Sequence, residues 1–166
     1  YKEHRDEYEL IKKYFSGFLT NKKRSVAIEE SIIKGYDSVI LDDGMQDYKI
    51  KKNLIMVCFN QNQMIGNGFV FPSGPLRENL KALTKAEIVL LNGKKNIQFE
   101  ELILNVNKNL KIFYSNYKPM NLDIFRKKDL CVVSGIGNPE NFIQLLKSHE
   151  LKISREFNFP DHYEFK

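Results

Sequence analysis

The sequence predicts an α/β fold, and three observations support this prediction. Short apolar runs recur along the chain, and segments with a helical spacing of apolar residues separate them. The runs are continuous in hydrophobicity, which is typical of parallel strands that are covered on both faces. A glycine-rich turn follows one run and leads into a segment that begins with proline, as in a strand–loop–helix unit.

Composition limits the classes of protein to consider. The chain has 166 residues, 42% of them hydrophobic, so a packed core is expected rather than wholesale disorder. The formal net charge of +5 favours an anionic partner such as a nucleotide, a phosphorylated lipid or an acidic membrane surface. The lysines are spread along the chain and the aromatic residues form no RNP-type motif, so nucleic acid is not expected as a partner.

The first two predicted elements are helices. Apolar residues within residues 8–19 fall on one face of a helix that Asp6 is expected to cap, and Glu7 suits its positive end. Residues 24–34 are predicted to form a second short helix that ends at Gly35. Four apolar side chains of this helix are predicted to point inward: Val26, Ala27, Ile32 and Ile33.

Later elements alternate between strands and helices. Four apolar runs are predicted as buried strands, at residues 38–42, 54–59, 88–91 and 130–133. Residues 111–117 alternate instead, which favours an exposed or linker strand, and residues 99–106 are predicted to be helical. Cys58 and Cys131 lie inside apolar runs without the spacing of a zinc site, so both are predicted to be buried thiols in a reducing compartment.

An acid pair carries the strongest chemical signal. Asp42 and Asp43 follow directly from the apolar run at residues 38–41, and open α/β sheets bind ligands at the carboxyl ends of their strands. A carboxylate there can hold Mg²⁺ beside a phosphate, directly or through water. Gly44 permits a sharp turn after the pair. An Asp-Asp-Gly turn without a ligand explains these residues at least as well.

Three further features are candidates for a site. Arg77 follows a loop of glycines and prolines and is suited to grip a phosphate, or else is a solvated residue in the first turn of a helix over residues 76–83. Residues 134–140 resemble a nucleotide-binding turn, although close helix–strand packing explains them equally well. His162 follows an acid and is a candidate general base or phosphate contact, or is incidental.

Six short motifs occur along the chain in this order: Asp6-Glu7, Asp42-Asp43-Gly44-Met45-Gln46, Gly66-Asn67-Gly68, Pro72-Ser73-Gly74-Pro75-Leu76-Arg77-Glu78, Gly135-Ile136-Gly137-Asn138-Pro139-Glu140 and Phe159-Pro160-Asp161-His162. In sequence and in order they resemble the motifs of the tetraacyldisaccharide 4'-kinase family of lipid A biosynthesis. Asp47 departs from the family, which usually has histidine there, and Arg5 replaces a glycine.

The resemblance implies a P-loop NTPase-like parallel sheet core, present here in part, with a second, smaller Rossmann-like lobe. Residues 1–110 would belong to the core, and residues 111–166 to linker strands and the start of the second lobe. The family's glycine-rich phosphate loop and N-terminal hydrophobic helix have no counterpart in these 166 residues. The chain is therefore expected to be the middle and C-terminal part of a family member.

The resemblance also implies an activity, namely transfer of the γ-phosphate of ATP to the 4'-hydroxyl of a tetraacyldisaccharide 1-phosphate lipid. Asp6 and His162 would pair at the acceptor hydroxyl, as base and orienting partner. The expected place of action is the cytoplasmic face of the bacterial inner membrane. The remaining roles implied are Mg²⁺ coordination by Asp42 and Asp43, a phosphate contact by Gln46, and headgroup contacts by Asn67 and Arg77.

Two other interpretations stay open. Without the phosphate loop, the chain would be a non-catalytic remnant that binds a lipid or a protein partner. Alternatively, it would be another metal-dependent α/β enzyme, such as a glycosyltransferase, whose acid pair binds the metal.

Overall fold

The computed structural model of the chain describes residues 5–161 and 163, which divide into two compact units. The first unit takes the residues up to 40 together with those from 119 onward, and the second takes residues 41–118. These boundaries differ from those of the two predicted domains, 1–110 and 111–166, and that division stays a prediction about the family's lobes.

Helices and strands alternate through most of the described chain. The helices are α1 (Arg5–Tyr14), α2 (Arg24–Ile33), α3 (Ile97–Val106) and α4 (Pro139–Ser148). The strands are β1 (Met56–Asn60), β2 (Ile88–Asn92), β3 (Lys111–Ser115), β4 (Asp129–Ser134) and β5 (Lys152–Asn158). Short 3-10 helices form at Leu80–Lys85 and Leu122–Ile124.

The second unit is built on a parallel sheet with strand order β1-β2-β3. The predicted α/β fold is therefore confirmed, and β1, β2 and α3 form where the apolar runs predicted them. Phe59 on β1 meets Phe99 on α3 edge-on, with ring centroids 5.1 Å apart, which joins the helix to the sheet. The core of this unit consists of Leu83, Ala86, Val89, Leu91, Phe99, Ile103 and Leu110.

Asparagine side chains form hydrogen bonds at both ends of α3. The Asn96 side chain accepts a hydrogen bond from the Phe99 backbone N–H at 3.0 Å, which caps the first turn. At the other end, the Asn107 amide donates to the backbone carbonyls of Leu83 and Ala86, each at 3.0 Å. The two Asn107 bonds join the end of α3 to the connection that enters β2, so the helix and the sheet form one packed body.

The first unit contains a second parallel pair, in which α4 connects β4 to β5. Pro139 occupies the first turn of α4, as predicted, because its missing N–H has no helical partner to lose there. Val132, Ile143 and Leu151 form the buried apolar side of this β-α-β unit. No helix within the described residues is long and apolar enough to cross a bilayer.

The predicted strand at residues 38–42 does not form. Residues 38–41 adopt no regular structure, and Ile40 is 96% exposed. A strand needs a hydrogen-bonded neighbour, and none of the strands in the described chain pairs with this segment. The acid pair therefore lies in a turn after an irregular segment.

The two N-terminal helices also differ from expectation in detail. Asp6 lies inside α1 because Arg5 is already helical, so the predicted N-cap at Asp6 is wrong. In α2, Ser31 is buried, whereas Ile32 and Ile33 are exposed. The predicted inward face was therefore wrong, because the apolar residues of this ten-residue helix extend around more than one face.

The side chains of β1 and β4 are less buried than the continuous apolar runs predicted. Cys58 and Cys131 are free but exposed, because alternate residues of β1 and β4 turn to a face that no described element covers. Strand β3 is one of the two edge strands of the parallel sheet, which agrees with the predicted exposed strand and not with a linker. The helix predicted at residues 76–83 is instead a bend followed by the 3-10 helix from Leu80.

Tyr114 on β3 is expected to make the stability of the second unit depend on pH in the alkaline range. Burial raises the pKa of the Tyr114 hydroxyl above 10.0, and its hydrogen bond to Glu100 raises that pKa further. The resulting stabilisation is complete below the pKa of tyrosine in the unfolded chain and is lost as pH rises through the higher folded pKa. In urea titrations, the stability difference between wild type and Tyr114→Phe should shrink above about pH 10, whereas a constant difference would contradict this assignment.

Candidate functional site

The acid pair lies in a tightly folded segment, residues 41–50, which we call the acidic loop. Asp43 has a positive φ of 48°, and Gly44 is buried behind it. A Cβ atom on Gly44 would come within 2.6 Å of the Leu41 Cβ, so a side chain at this position would force the turn open. The Asp47 backbone N–H donates to the Gly44 carbonyl at 3.2 Å and closes the turn. The loop thus has a defined backbone that presents Asp42 and Asp43 to solvent.

One predicted site residue contacts the acid pair. Arg77 Nη1 lies 2.9 Å from Asp43 Oδ2, with the two side chains 65% and 62% exposed. An ion pair this exposed contributes only about 0–1 kcal/mol to stability. A metal ion at Asp43 or a phosphate at Arg77 can therefore replace this contact at low cost.

A second contact joins the same two segments. The Tyr48 hydroxyl donates to Glu78 Oε2 at 2.6 Å, and Lys85 Nζ lies 3.4 Å from the Tyr48 oxygen. Sequence reasoning gave no role to these three residues. Glu78 was visible only as part of a motif, and nothing in the sequence marks Tyr48 and Lys85 as its neighbours in space.

Asn67 has a structural task in its own loop. Its side-chain amide donates to the Ser73 carbonyl at 2.8 Å, and its carbonyl oxygen accepts from the Phe69 N–H at 3.1 Å. A Cβ atom on Gly74 would collide with this Asn67 oxygen, so glycine is required there. The predicted headgroup contact by Asn67 stays a prediction, and the structure shows the residue bracing the segment that leads to Arg77.

Of the other three predicted site residues, Gln46, Asp6 and His162, only Gln46 has a side chain among those that the structure describes. Gln46 is half-buried in the acidic loop, and its backbone carbonyl accepts from the Tyr48 N–H at 3.1 Å. Asp6 belongs to α1 of the first unit, and its side chain is not among those described. His162 lies outside the described residues. The pairing of Asp6 with His162 therefore stays a prediction.

The donor set of the acidic loop fits Mg²⁺. No cluster of three or more His, Cys, Asp or Glu side chains occurs within residues 5–161 and 163. Mg²⁺ commonly takes only one or two protein carboxylates and completes its shell with water and substrate phosphates. Two adjacent, exposed carboxylates, Asp42 and Asp43, meet this requirement.

Comparisons with known proteins agree on one family. A family model described as tetraacyldisaccharide-1-P 4'-kinase matches residues 3–166. The tetraacyldisaccharide 4'-kinase of Pelagibacter ubique is 44% identical over 164 residues, which cover 96% of this chain and 52% of that protein. The tetraacyldisaccharide 4'-kinase of Rickettsia akari is 32% identical over 162 residues, which cover 96% of this chain and 48% of that protein.

A solved structure also matches part of the chain. It is LpxK from Aquifex aeolicus in complex with ATP, 20% identical, with a TM-score of 0.47 over 74% of this chain and 41% of that one. The chain spans about half the length of the curated relatives that it matches.

Proposed function

The chain belongs to the tetraacyldisaccharide-1-P 4'-kinase family, and from this premise we propose that it serves ATP-dependent phosphorylation. The acceptor is the 4'-hydroxyl of a tetraacyldisaccharide 1-phosphate lipid, in lipid A biosynthesis. The named relatives support this reaction, and the match extends over nearly the whole chain.

The contact between Asp43 and Arg77 is the observation that carries the proposal. It brings a carboxylate and a guanidinium, far apart in sequence, to within 2.9 Å of each other. Phosphoryl transfer depends on positioned groups that neutralise phosphate charge rather than on covalent chemistry by the protein. A carboxylate that can hold a metal ion, next to a guanidinium that can hold a phosphate, is an arrangement suited to this task.

In this proposal Asp42 and Asp43 hold Mg²⁺, which supplies neutralisation of the phosphate charge when it is bound. Arg77 leaves Asp43 and binds a phosphate of the lipid headgroup in bidentate fashion. Gln46 donates a hydrogen bond to a phosphate oxygen. Asn67 holds the loop before Arg77 and contributes a headgroup contact.

Asp6 and His162 are proposed to remove the proton of the acceptor hydroxyl, because both residues match the family's motifs. One of the two takes the proton while the other orients it, a division of roles that requires hydrogen-bond reach between them and the hydroxyl. The proposed place of action is the cytoplasmic face of the bacterial inner membrane. The net charge of +5 supports this location, because basic proteins are attracted to anionic lipid surfaces.

A comparison of phosphate and sugar donors tests the proposed function against its alternatives. The protein encoded by the complete gene is incubated with the lipid acceptor and either γ-labelled ATP or a sugar nucleotide. Label from ATP is expected to enter the lipid only when Mg²⁺ is present. Transfer from the sugar nucleotide alone would identify a glycosyltransferase instead. Lipid binding without transfer from either donor would identify a non-catalytic binding protein.

A further inference from the structure

Two adjacent residues tie the acidic loop to the bend that precedes the 3-10 helix Leu80–Lys85. Arg77 contacts Asp43 at 2.9 Å, and Glu78 accepts from the Tyr48 hydroxyl at 2.6 Å. The first tie joins the predicted ligand-binding groups themselves, so ligands compete with it. The second tie uses no group that the proposed function assigns to a ligand, so it can persist while the ligands bind.

The Glu78 carboxylate depends on Tyr48 for its orientation. Its second oxygen, Oε1, is buried and has no hydrogen-bond partner among the described residues. A buried carboxylate oxygen without a partner costs free energy, which disfavours the observed conformation of Glu78. The remaining hydrogen bonds of this side chain must offset that cost. The Tyr48 hydrogen bond therefore holds the side chain of Glu78, the residue next to Arg77.

Lys85 in turn fixes Tyr48. Its ammonium group lies 4.5 Å from the centre of the Tyr48 ring and 3.4 Å from the hydroxyl oxygen. A cation over an aromatic face is attracted to it, even at an exposed position. Lys85 ends the 3-10 helix whose Leu83 is buried in the core, so Tyr48 is linked to a firmly packed element.

We propose that Tyr48 is a positioning residue, which keeps the acidic loop aligned with Arg77 through its hydrogen bond to Glu78 and its contact with Lys85. This inference rests on the proposed function for its effect on catalysis. Its structural content, that Tyr48 orders the acidic loop, is measurable without any activity.

The catalytic arm uses a double-mutant cycle. In the protein encoded by the complete gene, Tyr48→Phe should lower kcat for phosphate transfer about tenfold, because small misplacements of positioned groups reduce rates strongly. In a Glu78→Met background, which has no carboxylate to accept the Tyr48 hydrogen bond, the same Tyr48→Phe change should have less than about a twofold effect, because the two residues act as one unit. The control is Tyr117→Phe, an exposed tyrosine of the same unit, which should leave kcat unchanged.

The structural arm measures amide hydrogen exchange in the acidic loop. The backbone N–H groups of Asp47, Tyr48 and Ile50 donate within the loop, and Tyr48→Phe should raise their exchange rates about tenfold. Tyr117→Phe should not change them. Unchanged exchange in Tyr48→Phe, or independent effects of Tyr48 and Glu78 on kcat, would overturn the inference. If wild type transfers no phosphate, the proposed function fails, and the exchange rates decide this inference alone.

Discussion

In the protein encoded by the complete gene, replacing Asp42 by asparagine is expected to lower the rate of the proposed phosphate transfer about 100- to 1,000-fold, the range seen when one preorganised electrostatic group is removed from an active site. Asparagine keeps the shape of the side chain but removes the negative charge that a divalent cation needs. Asp42 is exposed, so the free energy of unfolding should change by less than about 0.5 kcal/mol. Initial rates with labelled ATP and the lipid acceptor measure the first effect, and urea denaturation measures the second.

The matched control is Asp37→Asn, a second exposed aspartate that lies outside the acidic loop. This variant should keep the wild-type transfer rate. The concentration of Mg²⁺ that gives half-maximal rate is a further readout, and it should rise for Asp42→Asn only. Equal rates for wild type and Asp42→Asn would remove Asp42 from the proposed metal site. The Asp-Asp-Gly sequence would then be explained as a turn that binds no ligand.

Replacing Ile103 by alanine is expected to destabilise the second unit by about 3–4 kcal/mol, because the change removes buried methyl groups and leaves a cavity. Ile103 is 0% exposed and lies on α3, in the core that α3 forms with β2. Since domains are only marginally stable, a loss of this size shifts the denaturation midpoint strongly.

Ile97, the first residue of the same helix, provides the control because it is 63% exposed. Ile97→Ala should change the free energy of unfolding by no more than about 0.5 kcal/mol. Equal losses of stability in Ile97→Ala and Ile103→Ala would show that α3 does not bury the face that the structure assigns to it.

The sequence predicted the secondary structure correctly where the local pattern of residues alone determines it. Parallel strands form at β1, β2 and β4, where continuous apolar runs predicted them, although β1 and β4 are less buried than such runs imply. Pro139 predicted the first turn of α4 for a similar local reason. The resemblance to the tetraacyldisaccharide 4'-kinase family is likewise confirmed.

Prediction failed where structure depends on a distant partner. Residues 38–41 are as apolar as a strand, yet they form none without a neighbouring strand to pair with. Cys58 was predicted to be buried, but covering its face of the sheet requires an element that sequence periodicity does not specify. The inward face of α2 was ambiguous because its apolar residues surround too much of a short helix.

The candidate site shows the same division. Asp42, Asp43 and Arg77 were identified from residue type and from the resemblance, and the structure adds that Asp43 and Arg77 are in contact. The hydrogen bond between Tyr48 and Glu78 could not be predicted from the sequence. The two residues are 30 positions apart, and each could form its hydrogen bond with many other residues. Such pairs emerge only when the backbone between them is folded.

The position of the phosphate on the lipid product tests the central claim most directly. After incubation of the protein encoded by the complete gene with ATP, Mg²⁺ and tetraacyldisaccharide 1-phosphate, the lipid is recovered and examined by phosphorus–proton correlation NMR. A second phosphorus signal that correlates with the proton on the 4'-carbon is the predicted result. A new phosphate at any other position, or a lipid that keeps only its original phosphate, would contradict the account.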